Sequence, residues 1–134
     1  MERKNIITLL IAITVVLAFE FIGSPRAQDT GHTTTPISEV KEIKLANGAV
    51  QGVIIYLANG KPLSVTIRAN NGVIVCSHFD LRALESHNIA AASVQGIKSI
   101  DEAFDSRVVH INSLAEKLGI ISGMPVREAL GKMM

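Results

Sequence analysis

Aromatic side chains are scarce in this chain. It has no Trp, one Tyr and four Phe in 134 residues, and Phe19 and Phe21 fall in the N-terminal segment. A surface for single-stranded nucleic acid stacks bases on rings set among cations, and no aromatic-basic interleaving occurs. Charge of one sign is lacking too. Three of the thirteen Lys and Arg (Arg3, Lys4 and Arg26) precede Gln28, which leaves ten against ten Asp and Glu from there onward. That neutrality removes the electrostatic footprint of nucleic-acid binding, so nucleic acid is not an expected partner. Cys76 is the single cysteine, which excludes an internal disulfide and any Cys-rich zinc site. His78, Asp80, His87 and His110 show no H-x₃-H or HExxH spacing, and no GxGxxG, Walker or nucleophile-elbow motif occurs. Neither a metal nor a cofactor is expected.

One long uncharged run is present. "MERKNIITLLIAITVVLAFEFIG" opens with Arg3 and Lys4 and carries no charge from Asn5 to Phe19. A basic start followed by an apolar stretch is the layout of a signal peptide. Residues 6–23 as a single apolar helix would also reach about 27 Å, close to a bilayer's hydrocarbon thickness. Pro25 spoils the small-residue cleavage sites at Ser24 and Ala27. Residues 1–23 are thus a signal peptide or a membrane anchor, and either places the rest of the chain outside the cytoplasm. The polar stretch 24–38, with two prolines and three consecutive threonines, reads as a flexible linker.

Asn-Gly pairs recur at 47/48, 59/60 and 71/72, twelve residues apart each time. Asn-Gly signals a type I′ hairpin turn, in which both central residues take positive φ. The spacing predicts strands at 39–46, 49–58, 62–69 and 73–77, a four-stranded antiparallel meander. "LSVTIR" alternates apolar and polar, whereas "VIIYLA" and "VIVC" are apolar on both faces. With one helical layer on the sheet, Ile54, Tyr56 and Ile74 are left pointing outward, as an interface for further copies of the chain.

The C-terminal half carries helix signals. Asp80 caps a helix through "LRALESH", and "IAAASV" (89–94) reads as a small-residue strand under helices. Ser99–Glu102 and Ser113–Glu116 match the capping box, and "RVVHI" between them is extended. Gly119 stops the second of these helices, and Pro125 opens a last one with Val126, Ala129, Leu130 and Met133 on its apolar stripe. The fold class is α+β: the meander, then a mixed β/α half, with residues 39–134 as one domain.

Cys76, His78 and Asp80 stand at i, i+2 and i+4. On an extended chain their side chains leave one face together, and a thiol beside a carboxylate-oriented imidazole is the arrangement of a cysteine nucleophile. A lone Cys in an apolar strand more commonly packs as a small hydrophobe. Two functions follow: an anchored or exported oligomeric binding or assembly module, and, as the alternative, a small thiol enzyme centred on Cys76.

"NGVIVCSHFD", "AASVQGIKSIDEAF" and "AEKLGIISGMPVREALGKM", in that order, resemble the YunC-like family of uncharacterised bacterial and archaeal proteins over about residues 39–133. The closing Gly-Met-x-x-Arg-Glu-Ala-Leu motif matches at Gly123, Met124, Arg127, Glu128, Ala129 and Leu130. The resemblance implies an α+β domain whose N-terminal β region mediates tetramerisation, and it brings no catalytic role. Ser77 stands where members usually have Gly after the cysteine. The N-terminal apolar segment is a second departure.

Overall fold

The computed structural model describes residues 36–134. The expected helix over 6–23, its role as signal or anchor and most of the expected linker lie outside the described residues. Six strands form one sheet in sequence order: β1 (Ser38–Leu45), β2 (Gly48–Tyr56), β3 (Pro62–Arg68), β4 (Val73–Cys76), β5 (Ala91–Val94) and β6 (His110–Ile111). Four helices join them: α1 (Leu81–Ser86), α2 (Ile100–Asp105), α3 (Ser113–Lys117) and α4 (Val126–Lys132). Every pairing is antiparallel except β4 with β5, which α1 connects as a parallel crossover. The class is α+β with a mostly antiparallel sheet. The four-stranded meander stands as expected, each strand within two residues of its predicted ends. Among the described residues, no helix is long and apolar enough to cross a membrane.

The turns depart from expectation. Leu45 pairs with Gly48, so the central residues of the first hairpin are Ala46 and Asn47, and neither has positive φ. In the second, the Gly60 amide donates to Leu57 O (2.8 Å) and the Leu57 amide to Lys61 O (2.8 Å), with Gly60 at φ 76°. That is a three-residue loop ending in a left-handed glycine rather than a type I′ turn. In the third, the Ala69 amide donates to Gly72 O across Asn70 and Asn71. Asn-Gly therefore marks each hairpin without setting a common turn type.

Two of the turns hold the C-terminus. Asn47 Nδ2 donates to Gly131 O (3.2 Å), and Asn71 donates through Nδ2 to Met134 O (2.6 Å) and through its main-chain amide to Met133 O (2.7 Å). Met133 is fully buried. The meander and the last helix thus share one core, although they are distant in sequence.

Alternation decides the faces. Val50, Gly52 and Ile54 of β2 lie beside Val65 and Ile67 of β3, Ile74 of β4, and Ala92 and Val94 of β5 on one buried face, which α2 and α4 cover. The stripe Val126, Ala129, Leu130 and Met133 is buried as expected. Helix α2 comes very close to β2: a Cβ on Gly52 would stand 2.4 Å from Ile100 Cγ2. Only a residue without a side chain fits there. On the opposite face α1 packs on β5, and Val75, Ala91 and Ser93 are buried.

The caps follow the sequence with one change. Asp80 accepts from the Arg82 amide (2.9 Å) and Ser99 Oγ from the Glu102 amide (3.1 Å). For α3 the cap is Asn112, not Ser113: Asn112 Oδ1 accepts from the Ala115 amide (3.0 Å). Ser113 Oγ is instead turned to Glu85 of α1. At the other end of α3 the Gly119 amide donates to Glu116 O and the Ile120 amide to Ala115 O, the paired bonds of a Schellman motif.

Candidate functional site

Two places on the domain carry chemistry or surface that packing does not consume. The first lies at the carboxyl ends of the parallel strands β4 and β5. Cys76 ends β4 on the helix-covered face, 6% exposed, and its Sγ stands 3.5 Å from His78 Nδ1. A turn follows at once, with the Phe79 amide donating to Cys76 O (3.2 Å), so the strand that holds Cys76 does not run on to Asp80. Asp80 uses its carboxylate on the Arg82 amide. The expected three-residue arrangement is therefore corrected: Cys76 and His78 meet, and Asp80 is a helix cap.

The thiol lines a hollow of about 30 Å³ bounded by Leu63, Ser64, Val65 and Ile97. Beside it, Pro62, Leu63, Ser64, His78 and Phe79 enclose a shallow space of about 510 Å³. Leu63 and Phe79 are half-exposed there. What this arrangement can do is present a thiol, with an imidazole as proton acceptor, to a small apolar group entering between Leu63 and Phe79. His87 follows α1 as its C-cap, and His110 lies on β6 opposite Ser93. Among the described residues, no three His, Cys, Asp or Glu side chains come together as a metal site.

The second place is the face of β1–β3 that points away from α2 and α4. Val40 pairs with Val53, Val53 with Thr66, and Ile55 with Ser38 and Ser64. Val40 is 58% and Ile55 40% exposed, and Val53 is half-buried. Gln51 and Arg68 continue this face toward the first and third turns. The residues expected on an assembly face lie elsewhere. Ile54 and Ile74 are each 1% exposed within the core. Tyr56 is half-buried on their side, its hydroxyl donating to Glu39 Oε2 (3.1 Å). Partial burial first, and then Glu39, raise the Tyr56 pKa. The two-sided apolar character of β2 is real, but the helices took the opposite set.

Asn112 is the important residue that sequence reasoning missed. It is 5% exposed, and its Oδ1 accepts from the amides of both Ala91 and Ala115 at 3.0 Å. Its Nδ2 donates to Ile89 O (2.8 Å) and Leu81 O (3.4 Å). One amide thus ties α1, β5 and α3 together. The signal was an Asn immediately before a helical run, which competes with the adjacent Ser for the cap position. The closing motif also resolves into packing. Arg127 donates from Nε to Asp105 Oδ1 (3.1 Å) and lies over the Phe104 ring at 4.1 Å, while Ala129 and Leu130 are fully buried.

Comparison with known proteins adds three findings. Residues 75–133 match the model of a family described as Domain of unknown function (DUF1805). The chain is 34% identical over 74 residues to the uncharacterized protein YunC of Bacillus subtilis (strain 168), covering 52% of this chain and 73% of that protein. Its fold is similar to the crystal structure of a protein of unknown function from Thermoplasma acidophilum, with a TM-score of 0.66 and 23% identity. That likeness covers 72% of this chain and 93% of the other.

Proposed function

We propose, from the premise that this chain belongs to the YunC-like family of uncharacterised proteins, that it is a self-associating binding or assembly module. The observation that carries this reading is the apolar row Val40, Val53 and Ile55 on β1–β3, over which the described residues place no helix. Val40 and Ile55 are partly exposed and Val53 less so, which leaves on the order of 200 Å² of apolar surface per copy to bury; at about 25 cal/mol per Å² that contributes about 5 kcal/mol per copy, before association entropy is charged. Repeated by symmetry, three such residues per copy support a stable homo-oligomer. The family resemblance favours a tetramer within this reading. The same reading has residues 6–23 tether the domain to a membrane, or direct its export if they are cleaved, and has the domain work outside the cytoplasm.

Light scattering on the chain, with Ile55→Asp as the variant, tests the assembly. The expected result is an oligomer that Ile55→Asp splits into folded monomers, since the new carboxylate has no partner in an apolar interface. A wild-type monomer at micromolar concentration overturns the reading. Mass spectrometry of the native N-terminus tests the tether, and a mature start between residues 22 and 30 overturns the anchor in favour of cleavage.

A second reading, a small thiol enzyme centred on Cys76, is favoured by the 3.5 Å approach of Cys76 Sγ to His78 Nδ1. Fast alkylation of the folded chain with a depressed thiol pKa supports it. Labelling that is slow until denaturant is added removes it.

A further inference from the structure

The three Asn-Gly pairs share one covalent chemistry but not one environment. In such a pair the glycine amide nitrogen attacks the asparagine Cγ. The N–Cγ bond forms, the Cγ–Nδ2 bond breaks, and ammonia departs with the proton from the glycine nitrogen. Water then opens the resulting succinimide. Addition at Cγ gives aspartate, and addition at the main-chain carbonyl gives isoaspartate. Water is the only co-reactant, and no electrons are transferred. The step requires the asparagine side chain to swing free and the glycine nitrogen to leave its hydrogen bond.

From these requirements we infer that Asn59 is the site of spontaneous deamidation in the folded protein, while contacts with the C-terminal helix protect Asn47 and Asn71. Asn59 is exposed at the tip of the β2–β3 hairpin. All the bonds that hold its turn are local. Lys61 N donates to Asn59 Oδ1 (3.0 Å), Gly60 N to Leu57 O (2.8 Å), and Leu57 N to Lys61 O (2.8 Å). Opening five residues at a hairpin tip disturbs nothing in the core, so it is a low-energy local fluctuation.

The other two pairs must break tertiary bonds before they react. Asn71 would have to release Met134 O from Nδ2 (2.6 Å) and Met133 O from its amide (2.7 Å). Its glycine is walled in, since a Cβ on Gly72 would stand 2.9 Å from Ala90 O and from Met133. Asn47 Nδ2 is held by Gly131 O (3.2 Å), and a Cβ on Gly48 would meet Met134 Cε at 2.3 Å. Succinimide formation at either place requires the C-terminal turn of α4 to lift. At Asn59 the product adds a carboxylate and, as isoaspartate, one main-chain carbon to a three-residue loop.

The test is peptide mapping by mass spectrometry after holding the full chain at mildly alkaline pH, with fragmentation that separates isoaspartate from aspartate. A parallel sample is held in denaturant. In the folded chain Asn59 is expected to convert about thirtyfold faster than Asn71 and about fivefold faster than Asn47, the factors that two and one tertiary hydrogen bonds supply. In denaturant the three rates should converge. Equal rates at all three sites in the folded chain overturn the inference. So does an Asn59 that stays intact while the denatured control converts.

Discussion

Replacing Asn112 by Ala tests the central claim about how the C-terminal half is joined. The substitution removes the α3 cap, which costs about 1 kcal/mol. It also strands the Ala91 amide, on a residue with no exposed surface, at a further cost of about 1–3 kcal/mol, and leaves the Ile89 carbonyl unpaired for about 1 kcal/mol. Together these come to about 3–5 kcal/mol, a large share of the roughly 5–15 kcal/mol that holds a domain folded. At roughly 4–8 °C per kcal/mol for a domain of this size, the melting temperature should fall by about 12–40 °C. Thermal unfolding followed by far-UV circular dichroism measures it. Asn112→Asp is the sharper variant. It keeps an oxygen for the Ala91 and Ala115 amides but turns a second oxygen toward Ile89 O, where Nδ2 had donated. A protonated carboxyl can donate again, so this variant should regain stability as pH falls. If Asn112→Ala melts within a few degrees of wild type, Asn112 is not the tie described, and the reasoning fails.

Four further outcomes are expected. Ile54→Ala should cost about 2–5 kcal/mol in a denaturant titration, whereas Ile55→Asp should leave the monomer's unfolding midpoint nearly unchanged; the reverse order would show that the faces are misassigned. Gly52→Val should destabilise by about 1–3 kcal/mol through its collision with Ile100, and Ile100→Ala in the same chain should recover part of the loss. Hydrogen bonds from Ser113 Oγ and then its amide hold the Glu85 pKa below 4.5. Its stabilising contribution is therefore complete above the unfolded value and lost as pH falls through the depressed folded one, so Ser113→Ala should flatten the acid limb of the stability profile. Cys76→Ser should keep the fold at a modest cost, and the variant's unfolding midpoint checks this directly.

Much of the fold was legible because local chemistry and tertiary need agree. Strand ends followed the Asn-Gly pairs, and the α4 stripe followed from 3.6-residue periodicity alone. The parallel β4–β5 pair was not legible: "VIVC" and "AASV" show that two strands are buried, but not which way they run beside each other. The spacing put Cys76 and His78 on one face, and the cap role of Asp80 was legible before "LRALESH". The close approach of Cys76 and His78 was not, because the turn at Phe79 carries no Gly or Pro to announce it. Asn112 was hidden by its neighbour. Ser113 completes a capping box in sequence, and only the position of Ala91 across the sheet makes the longer Asn side chain the better bridge.

Choosing the wrong face of β2 has a physical cause, and the sequence held the correction. Alternation divides Gln51, Val53 and Ile55 from Val50, Gly52, Ile54 and Tyr56, but both sets contain large apolar residues, so hydrophobicity alone cannot rank them. Gly52 can. A glycine in the interior of a strand weakens it and is retained where another backbone approaches closely. Gly52 shares its face with Val50 and Ile54, so the close approach, and hence the helical layer, must come from that side. Ile100 of α2 occupies that place. Lys41, which pairs with Gly52 across the β1–β2 ladder, reaches Asp101 on the same helix. Once α2 is fixed there, Val53 and Ile55 have no layer from their own chain within the described residues. The surface proposed for self-association is therefore placed on the residues that alternate with Gly52, not on those that share its face.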